Sequence, residues 1–313
     1  MRSASADLTV GLIGCGQFAP LHLDALVRND HVRKVVAADP DEAALTAMHR
    51  RYGIIRRIET DWRAVVESDE VDIVDILTPH DRHREIAIAA LEAGKDVICE
   101  KPIARTLEEA DEMIATAERT GRRLLVALTQ VHFPAIARAR ELMDTGKIGR
   151  PFLAVFQVYD NEVARMSDPA HWKGDLERAG GGVLIDAGYH PTYLMLHLFG
   201  RPRAVTAICR QLVIDAVGKG EDTAVVALDL GEGMLGSIVV TFADDATRYQ
   251  GERRIVGTEG TLLIRDTPED ELPLLLLTDG EAATIPVRNP LEVQPLAVEL
   301  TLNDLIGAIV EGR

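Results

Sequence analysis

The sequence predicts an α/β protein in which a doubly wound parallel sheet is followed by an α+β domain with a mostly antiparallel, open sheet. Over residues 8–128, apolar β-branched runs alternate with segments of helical spacing, which is typical of parallel strands joined by helices. After residue 128, strand-like runs separated by turn signals dominate. The length of 313 residues accommodates about two domains, and we place them at residues 1–128 and 129–313.

The first predicted strand leads directly into a glycine-containing loop. Leu8 to Ile13 is apolar and β-branched, and Gly14-Cys15-Gly16-Gln17-Phe18-Ala19 then fits G-x-G-x-x-[G/A] ahead of a helical pattern. In this pattern the first glycine permits a tight turn, the second admits a pyrophosphate, and the third small residue brings helix and strand together. Unpaired N–H groups at the helix start favour phosphate. The loop therefore predicts a dinucleotide site.

An acidic residue follows the second strand at the spacing that a dinucleotide site requires. The strand Val32 to Ala38 ends at Asp39, 20 positions after Ala19, where a carboxylate hydrogen-bonds the adenosine ribose. The alternative is a plain strand–turn–helix with a solvated aspartate. The agreement of strand, loop, helix and acid favours the dinucleotide, and NAD is favoured over NADP because Asp39 would repel a 2′-phosphate.

The remaining elements of the first domain continue the alternation. Strands are predicted at 71–77, 96–99 and 124–128, with helices at 41–52, 81–93 and from a capping box at Thr106 to about Thr120. Ligands of parallel sheets bind at the carboxyl ends of the strands. Thr78-Pro79 and Lys101 follow two of these strands, so we expect them at the ligand edge.

The second domain begins with a helix at 133–145 and a strand at 152–159. A polar loop at 161–179 leads to Gly180-Gly181-Gly182, which opens an apolar helical stretch to Phe199. Strand-like runs follow at 204–214, 223–229, 234–242, 253–256, 261–265, 274–277 and 283–287, with a hairpin turn at Gly231-Glu232-Gly233.

The amino-acid composition and net charge limit the kinds of partner that the protein is expected to bind. A hydrophobic content of 47% with 27% charged residues is typical of soluble globular proteins. The net charge of −16 argues against nucleic acid and anionic membranes as partners. Residues 1–7 are too short and polar for a signal peptide, and no apolar run reaches the roughly 20 residues that a membrane span needs.

Cysteine and histidine spacing predicts neither disulfides nor a metal site. The three cysteines show no C-x-x-C or zinc spacing, so we expect reduced thiols and a cytoplasmic protein. Cys15 and Cys99 are interpreted as small buried hydrophobic residues. His80 and His83 supply too few ligands for a metal. One of these two histidines could lie near a nicotinamide, and the alternative is that they only start a helix.

Two stretches carry candidate catalytic groups. Asp186 and His190 are four residues apart, so on a helix they face the same side, and a carboxylate beside an imidazole favours general acid–base catalysis. Pro191 predicts that the helix kinks or restarts after His190. The alternative is a buried pair whose members only satisfy each other. Lys101 is either a donor that stabilises a substrate alkoxide or an exposed loop lysine.

Several amphipathic residues are candidates for the substrate pocket, although each is equally explained by packing at a rim. They are Tyr159, Asn161, His171, Trp172 and Tyr189.

Taken together, these motifs resemble the family of glucose–fructose oxidoreductase, inositol dehydrogenase and the rhizopine-catabolism oxidoreductases (Gfo/Idh/MocA) over nearly the whole chain. The resemblance rests on the glycine loop, on Thr78-Pro79 with His83, and on Glu100-Lys101-Pro102. It continues in Trp172, in the segment from Gly180 to His190 and in Gly257-Thr258-Glu259-Gly260-Thr261.

The resemblance implies an N-terminal Rossmann domain and a C-terminal domain whose sheet builds homodimers or homotetramers. It implies hydride transfer between NAD and a sugar, amino sugar or cyclitol, with Lys101, Asp186 and His190 as the catalytic set. His190 would exchange the hydroxyl proton and Lys101 would bind the same oxygen. The residues implied in cofactor binding are Gly14, Gly16, Gln17, Phe18, Ala19, Asp39, Thr78, Pro79, His83, Glu100 and Lys101. The Lys101–Pro102 bond is expected to be cis.

Three positions depart from the family pattern and concern the pocket. His80 stands where asparagine is common, Tyr193 where aspartate is common, and Gln130-Val131-His132-Phe133 replaces a usual Arg-Phe. These departures bear on the substrate more than on the reaction. Two alternatives to the dehydrogenase stay open: an enzyme of the same fold that recycles NAD while cleaving a glycoside, and a regulator that senses a dinucleotide or a sugar.

Overall fold

The chain folds into two compact units. The computed structural model describes residues 7–168, 170–214, 220–245, 250–265, 274–287 and 294–313. One unit comprises residues 1–128 with 295–313, and the other comprises residues 129–294. The division after residue 128 coincides with the expected domain boundary. The expected second domain, 129–313, differs from the second unit at its end, because the last helix packs into the core of the first unit.

The first unit contains a six-stranded parallel sheet in the order β3-β2-β1-β4-β5-β6. This order is that of a doubly wound dinucleotide-binding sheet, and it confirms the predicted fold class. The strands are β1 (Leu8–Ile13), β2 (Val32–Ala38), β3 (Ile55–Glu59), β4 (Ile73–Ile76), β5 (Asp96–Glu100) and β6 (Leu124–Ala127).

Helices cover both faces of this sheet, and three of them begin at a side-chain cap. The side chain of Asp41 accepts from the N–H groups of Ala43 and Ala44, and Thr106 accepts from Glu109 as the capping box predicts. The helices are α1 (Ala19–Arg28), α2 (Glu42–Arg51), α3 (Trp62–Val66), α4 (His83–Glu92) and α5 (Leu107–Thr120).

The last helix, which we call α11 (Gln294–Glu311), belongs to the first unit. Its buried residues Val298, Leu302 and Ile306 share one apolar cluster with residues of β1, β2 and α1. Glu299 also accepts a hydrogen bond from Arg28 at 2.6 Å. Burial of this apolar stripe explains why the helix joins the parallel sheet.

The second unit contains an eight-stranded sheet in the order β14-β13-β12-β11-β7-β10-β9-β8. The β7–β10 pair is parallel and the other neighbours are antiparallel, which confirms the predicted mostly antiparallel sheet. The strands are β7 (Pro151–Tyr159), β8 (Ala204–Arg210), β9 (Thr223–Gly231), β10 (Met234–Thr241), β11 (Gln250–Gly257), β12 (Thr261–Arg265), β13 (Leu274–Thr278) and β14 (Glu281–Thr284).

Short helices precede and follow β7. They are α6 (Pro134–Asp144), α7 (Val163–Ser167), α8 (Leu176–Ala179), α9 (Val183–Asp186) and α10 (Tyr189–Phe199). The expected polar loop at 161–179 thus contains two helices. The carboxylate of Asp175 accepts from the N–H groups of Glu177 and Arg178 and so starts α8.

The assignment of α11 to the first unit predicts unequal effects of two leucine substitutions. Leu302→Ala empties a site that is 1% exposed, and we expect a loss of about 2–5 kcal/mol in the free energy of unfolding of the first unit. Leu300→Ala, on the same helix but 41% exposed, should cost about 0.5 kcal/mol or less. Thermal unfolding with and without NAD measures this, because ligand identifies the transition of the unit that binds it. Equal effects of the two substitutions would contradict the assignment.

Candidate active site

The glycine loop of the first unit is shaped by close backbone contact on one side and open space on the other. Gly14 has φ +105°, and a Cβ there would lie 2.8 Å from the carbonyl carbon and oxygen of Leu77, so only glycine fits. A Cβ at Gly16 would meet nothing within 4 Å. The loop therefore leaves its backbone accessible to a ligand at the start of α1, as the motif requires.

Asp39 is tied to this loop. Its Oδ2 accepts the N–H of Cys15 at 2.6 Å, and its Oδ1 accepts the N–H of Asp41 at 2.8 Å. Each carboxylate oxygen has a further lone pair available for a ribose hydroxyl. Within the described ranges, the buried Oγ1 of Thr78 has no hydrogen-bond partner and is a second polar group available to a ligand. These residues fit a bound NAD.

Next to the loop, a histidine of α1 is buried between two carboxylates. His22 Nδ1 lies 2.9 Å from Asp75 Oδ2, and Nε2 lies 3.2 Å from Glu100 Oε1. Carboxylates only accept, so both ring nitrogens must carry protons. Burial alone lowers the pKa of His22, but the two carboxylates outweigh it and raise the pKa to about 10. The cluster is therefore a buried ionic triad.

The triad holds the backbone at the candidate lysine. Glu100 Oε2 accepts the N–H of Lys101 at 3.0 Å. Burial opposes ionisation of Glu100, but the hydrogen bond and charge of His22 and the charge of Lys101 keep its pKa below the usual value. The Lys101–Pro102 bond is cis, as expected. Glu100 is thus a structural support for Lys101, and its contact with cofactor stays a prediction.

His83 joins the two loops at the carboxyl edge of the sheet. One ring nitrogen lies 2.9 Å from the carbonyl oxygen of Thr78 and the other lies 2.9 Å from that of Pro102. His83 is fully buried and is the first residue of α4, which fits the interpretation as a helix-start histidine. Its implied cofactor contact stays a prediction.

The cysteines of the first unit are buried, as predicted: Cys15 is 3% exposed and Cys99 is 0% exposed. Burial, with the charge of Asp39, raises the pKa of Cys15 to about 12. These thiols therefore stay protonated and act as packing groups.

In the second unit, the triple glycine allows two backbone segments to touch. A Cβ at Gly182 would lie 1.9 Å from the carbonyl oxygen of Glu221, and one at Gly220 would lie 2.2 Å from the nitrogen of Gly182. The Glu221 carboxylate accepts the N–H of Gly182 at 3.1 Å and that of Leu184 at 2.9 Å. Glu221 therefore caps α9, which carries Asp186, and no sequence pattern indicates this contact across 39 residues.

Asp186 is paired with a cation that sequence reasoning passed over. Lys173 Nζ lies 2.7 Å from Asp186 Oδ2 and 3.8 Å from Glu162 Oε2. Lys173 follows the candidates His171 and Trp172 directly, so its position was the available signal. The pair fixes the Asp186 carboxylate and keeps a positive charge beside it.

His190 is held by a tyrosine one turn further along α10. Its Nδ1 lies 2.9 Å from Tyr193 Oη. The prediction of a restart after His190 is wrong in position: α9 ends at Asp186, and α10 begins at Tyr189, one residue before His190. Pro191 lies in the first turn of α10, where its missing N–H has no helical partner to lose. Asp186 and His190 therefore lie on two helices and not on one helical face.

The five pocket candidates lie in different local settings of the second unit. His171 Nδ1 accepts the N–H of Lys173 at 3.2 Å, and its ring stacks on Trp172 with centroids 6.0 Å apart. Asn161 donates to Asp245 at 3.1 Å. Tyr159 ends β7, and Tyr189 packs edge-on against Tyr193. Both interpretations, substrate contact and rim packing, stay predictions.

Over the described ranges there is no group of three or more His, Cys, Asp or Glu side chains arranged to hold a metal. In that same part of the chain, no helix combines the length and apolarity that a membrane span requires.

The fold and the loop define a dinucleotide-binding protein, and comparison with known proteins gives its family. Residues 8–128 match the oxidoreductase family with an NAD-binding Rossmann fold. Residues 136–263 match the GFO/IDH/MocA C-terminal domain. The chain belongs to the Gfo/Idh/MocA family of oxidoreductases, as the resemblance of its motifs predicted.

Individual relatives extend over most of the chain. It is 31% identical to the levoglucosan dehydrogenase of Pseudarthrobacter phenanthrenivorans over 304 residues, covering 87% of this chain and 77% of that protein. It is 26% identical to the myo-inositol 2-dehydrogenase of Thermotoga maritima over 88% of this chain and 79% of that protein. A solved levoglucosan dehydrogenase in complex with NADH and L-sorbose is similar with a TM-score of 0.87 and 26% identity, covering 98% of this chain and 90% of that one.

The buried triad predicts a pH-dependent contribution of His22 to stability. Because its pKa rises from 6.5 to about 10 on folding, the contribution is complete below pH 6.5 and is lost as the pH rises through 10. His22→Ala should cost about 3–5 kcal/mol near pH 6, since it leaves two buried carboxylates without their cation. Urea unfolding from pH 6 to pH 10 should show the difference from the unsubstituted protein shrinking. The exposed His49→Ala is the control, and a difference that grows with pH would overturn the assignment.

The close approach of two backbones predicts that the triple glycine tolerates alanine unequally. Gly182→Ala places a methyl group against backbone at 1.9 Å, so we expect a loss of several kcal/mol or an insoluble protein. At Gly181 a Cβ meets only the side chain of Ile185, at 3.0 Å, and Gly181→Ala should be milder. Soluble yield and thermal midpoint measure both. Equal tolerance at 181 and 182 would show that the segments separate readily.

Proposed function

We propose that this protein is an NAD-dependent dehydrogenase or reductase that transfers a hydride between the nicotinamide and a carbinol or keto carbon of a sugar, amino sugar or cyclitol. Two features of one chain carry the proposal. The dinucleotide loop is hydrogen-bonded to Asp39, and Nδ1 of His190 is hydrogen-bonded to the neutral hydroxyl of Tyr193. The relatives named for levoglucosan and myo-inositol support the substrate class.

The proposed roles of the side chains follow from their chemistry. NAD supplies the hydride acceptor when it is bound. Nε2 of His190 takes the hydroxyl proton on oxidation and returns it on reduction. Lys101 donates a hydrogen bond to the same oxygen and stabilises its developing negative charge. Asp186, fixed by Lys173, orients the substrate.

Asp39 supports NAD over NADP. Its carboxylate accepts hydrogen bonds from two backbone N–H groups, which hold it in place. A 2′-phosphate would meet this negative charge, whereas ribose hydroxyls can donate to it.

The exposed face of the second unit's sheet supports self-association. Ile208, Val225 and Leu235 are apolar, lie on one face of the sheet and are between 48% and 63% exposed, which is unusual for a face that stays in water. We propose a homodimer or homotetramer through this face. A cytoplasmic location, a small-molecule partner and the absence of nucleic-acid and membrane partners belong to the same proposal.

Activity is tested by mixing the protein with NAD or NADP and a panel of sugars, amino sugars and cyclitols, and following absorbance of the reduced cofactor. We expect turnover with NAD and one class of carbinol. His190→Ala and Lys101→Ala should each lower kcat by about 10²–10⁴-fold while NAD still binds by calorimetry.

The outcome of this test separates the alternatives. Substrate consumption without accumulation of NADH would favour the NAD-recycling reaction. Rates like those of the unsubstituted protein in both variants would overturn the assigned roles. Lys147→Ala, at an exposed lysine between α6 and β7, is the matched control for charge removal.

A further inference from the structure

A continuous set of buried hydrogen bonds leads from the sheet of the second unit to His190. Arg253 on β11, only 1% exposed, donates from Nη2 to Gln130 Oε1 at 2.8 Å. The backbone N–H of Gln130 donates to Tyr193 Oη at 3.1 Å. Tyr193 Oη in turn lies 2.9 Å from His190 Nδ1. These three buried residues therefore connect the ring of His190 to the core of the second unit.

The ring of Tyr193 is also held in place by its packing against two other rings. Its ring packs edge-on against His190, with centroids 5.6 Å apart, and edge-on against Tyr189, at 6.0 Å. Edge-to-face contacts of this kind are attractive and directional. Tyr193 therefore has little freedom to leave Nδ1 of His190.

The oxygen of Tyr193 can form only a few hydrogen bonds. A phenolic oxygen has one proton and two lone pairs. The N–H of Gln130 can only donate, so it occupies one lone pair. Two arrangements remain toward His190: Nδ1–H donates to the second lone pair, or the hydroxyl donates to a bare Nδ1. The first leaves Nε2 able to accept a proton, whereas the second places a proton on Nε2.

We propose that Tyr193 is a positioning residue that accepts a hydrogen bond from Nδ1–H of His190, and thereby holds the ring in the tautomer whose Nε2 exchanges the substrate proton. This inference rests on the proposed function. A base that cycles at Nε2 keeps its Nδ1 proton in both the neutral and the charged state. An acceptor at Nδ1 therefore serves both states without moving, and the Gln130 N–H holds that acceptor in place.

The neutral phenol at Nδ1 of His190 affects the pH range in which this histidine can act as a base. A carboxylate at hydrogen-bond distance stabilises imidazolium and raises the pKa of histidine, while a phenol does so far less. The other charged and titratable groups that contact α9 and α10 in the described part of the second unit include Glu221, Arg140, His197, Tyr189 and the Lys173–Asp186 pair, with Arg253 behind Gln130. The phenol of Tyr193 thus stabilises a charged ring less than a carboxylate at the same place would, and a general base acts from its uncharged form.

The tautomer can be read directly, without turnover. Ring ¹⁵N shifts of His190, assigned by comparison with His190→Ala, should show a protonated Nδ1 and a bare Nε2 near neutral pH. In Tyr193→Phe the Nδ1 partner is lost and the ring should shift toward the Nε2–H tautomer. A protonated Nε2 in the unsubstituted protein would overturn the proposal, whatever the activity.

Kinetics supply the second test. Tyr193→Phe keeps the ring but removes the oxygen, and we expect kcat to fall about 10–10²-fold with KM changed less than about threefold. Tyr193→Asp restores an acceptor that is charged, so it should recover part of kcat and move the acidic limb of the kcat/KM profile to higher pH. Tyr52→Phe removes a buried phenol hydroxyl that donates to Pro20 in the first unit, and should leave both the profile and the tautomer unchanged.

Different results would overturn the role of Tyr193 and the proposed function. A Tyr193→Phe variant with unchanged kcat and tautomer, alongside an inactive His190→Ala, would overturn the role of Tyr193 and leave the proposed function standing. An active His190→Ala would instead overturn the proposed base, even if the ¹⁵N shifts are as expected. Thermal midpoints within a few degrees of the unsubstituted protein show that either result concerns the site and not folding.

Discussion

The buried cation of His22 is the interaction on which the architecture of the first unit depends most. Three elements that are distant in sequence meet in it: α1 after the glycine loop, β4 through Asp75, and β5 through Glu100. A buried carboxylate without a partner costs several kcal/mol, so each acid requires the histidine to stay in place. The same contact fixes the glycine loop at one end and the backbone of Lys101 at the other. Cofactor site and candidate lysine are therefore constrained by one ionic cluster.

The second unit constrains its candidate base in a different way. The line from Arg253 through Gln130 to Tyr193 carries one formal charge, and that charge lies farthest from His190. Neutral hydrogen bonds fix geometry without strongly favouring either protonation state. The two histidines thus have opposite surroundings: His22 lies between two carboxylates that keep it charged, whereas Nδ1 of the candidate His190 lies beside a neutral phenol.

Sequence reasoning succeeded where the determinants are local. The glycine loop, the capping box at Thr106 and the hairpin at Gly231 each need a few adjacent residues of defined stereochemistry, and the structure has all three. It failed where the partner is far along the chain. Glu221 caps α9 across 39 residues and Gln130 reaches Tyr193 across 63, and no periodicity encodes such pairs. The last helix was not predicted, and the apolar cluster that it shares with β1, β2 and α1 lies more than 250 residues away along the chain.

Two of the departures from the family pattern turn out to be one structural feature. Gln130 and Tyr193 belong to two separate departures in the sequence, yet they are hydrogen-bonded to each other in the fold. The side-chain amide of Gln130 also accepts one of the hydrogen bonds that the buried Arg253 can donate. Any residue except proline supplies a backbone N–H, so only the contact with Arg253 depends on the glutamine side chain. Through its side chain and its backbone, Gln130 therefore links β11 to the tyrosine of α10 that contacts His190.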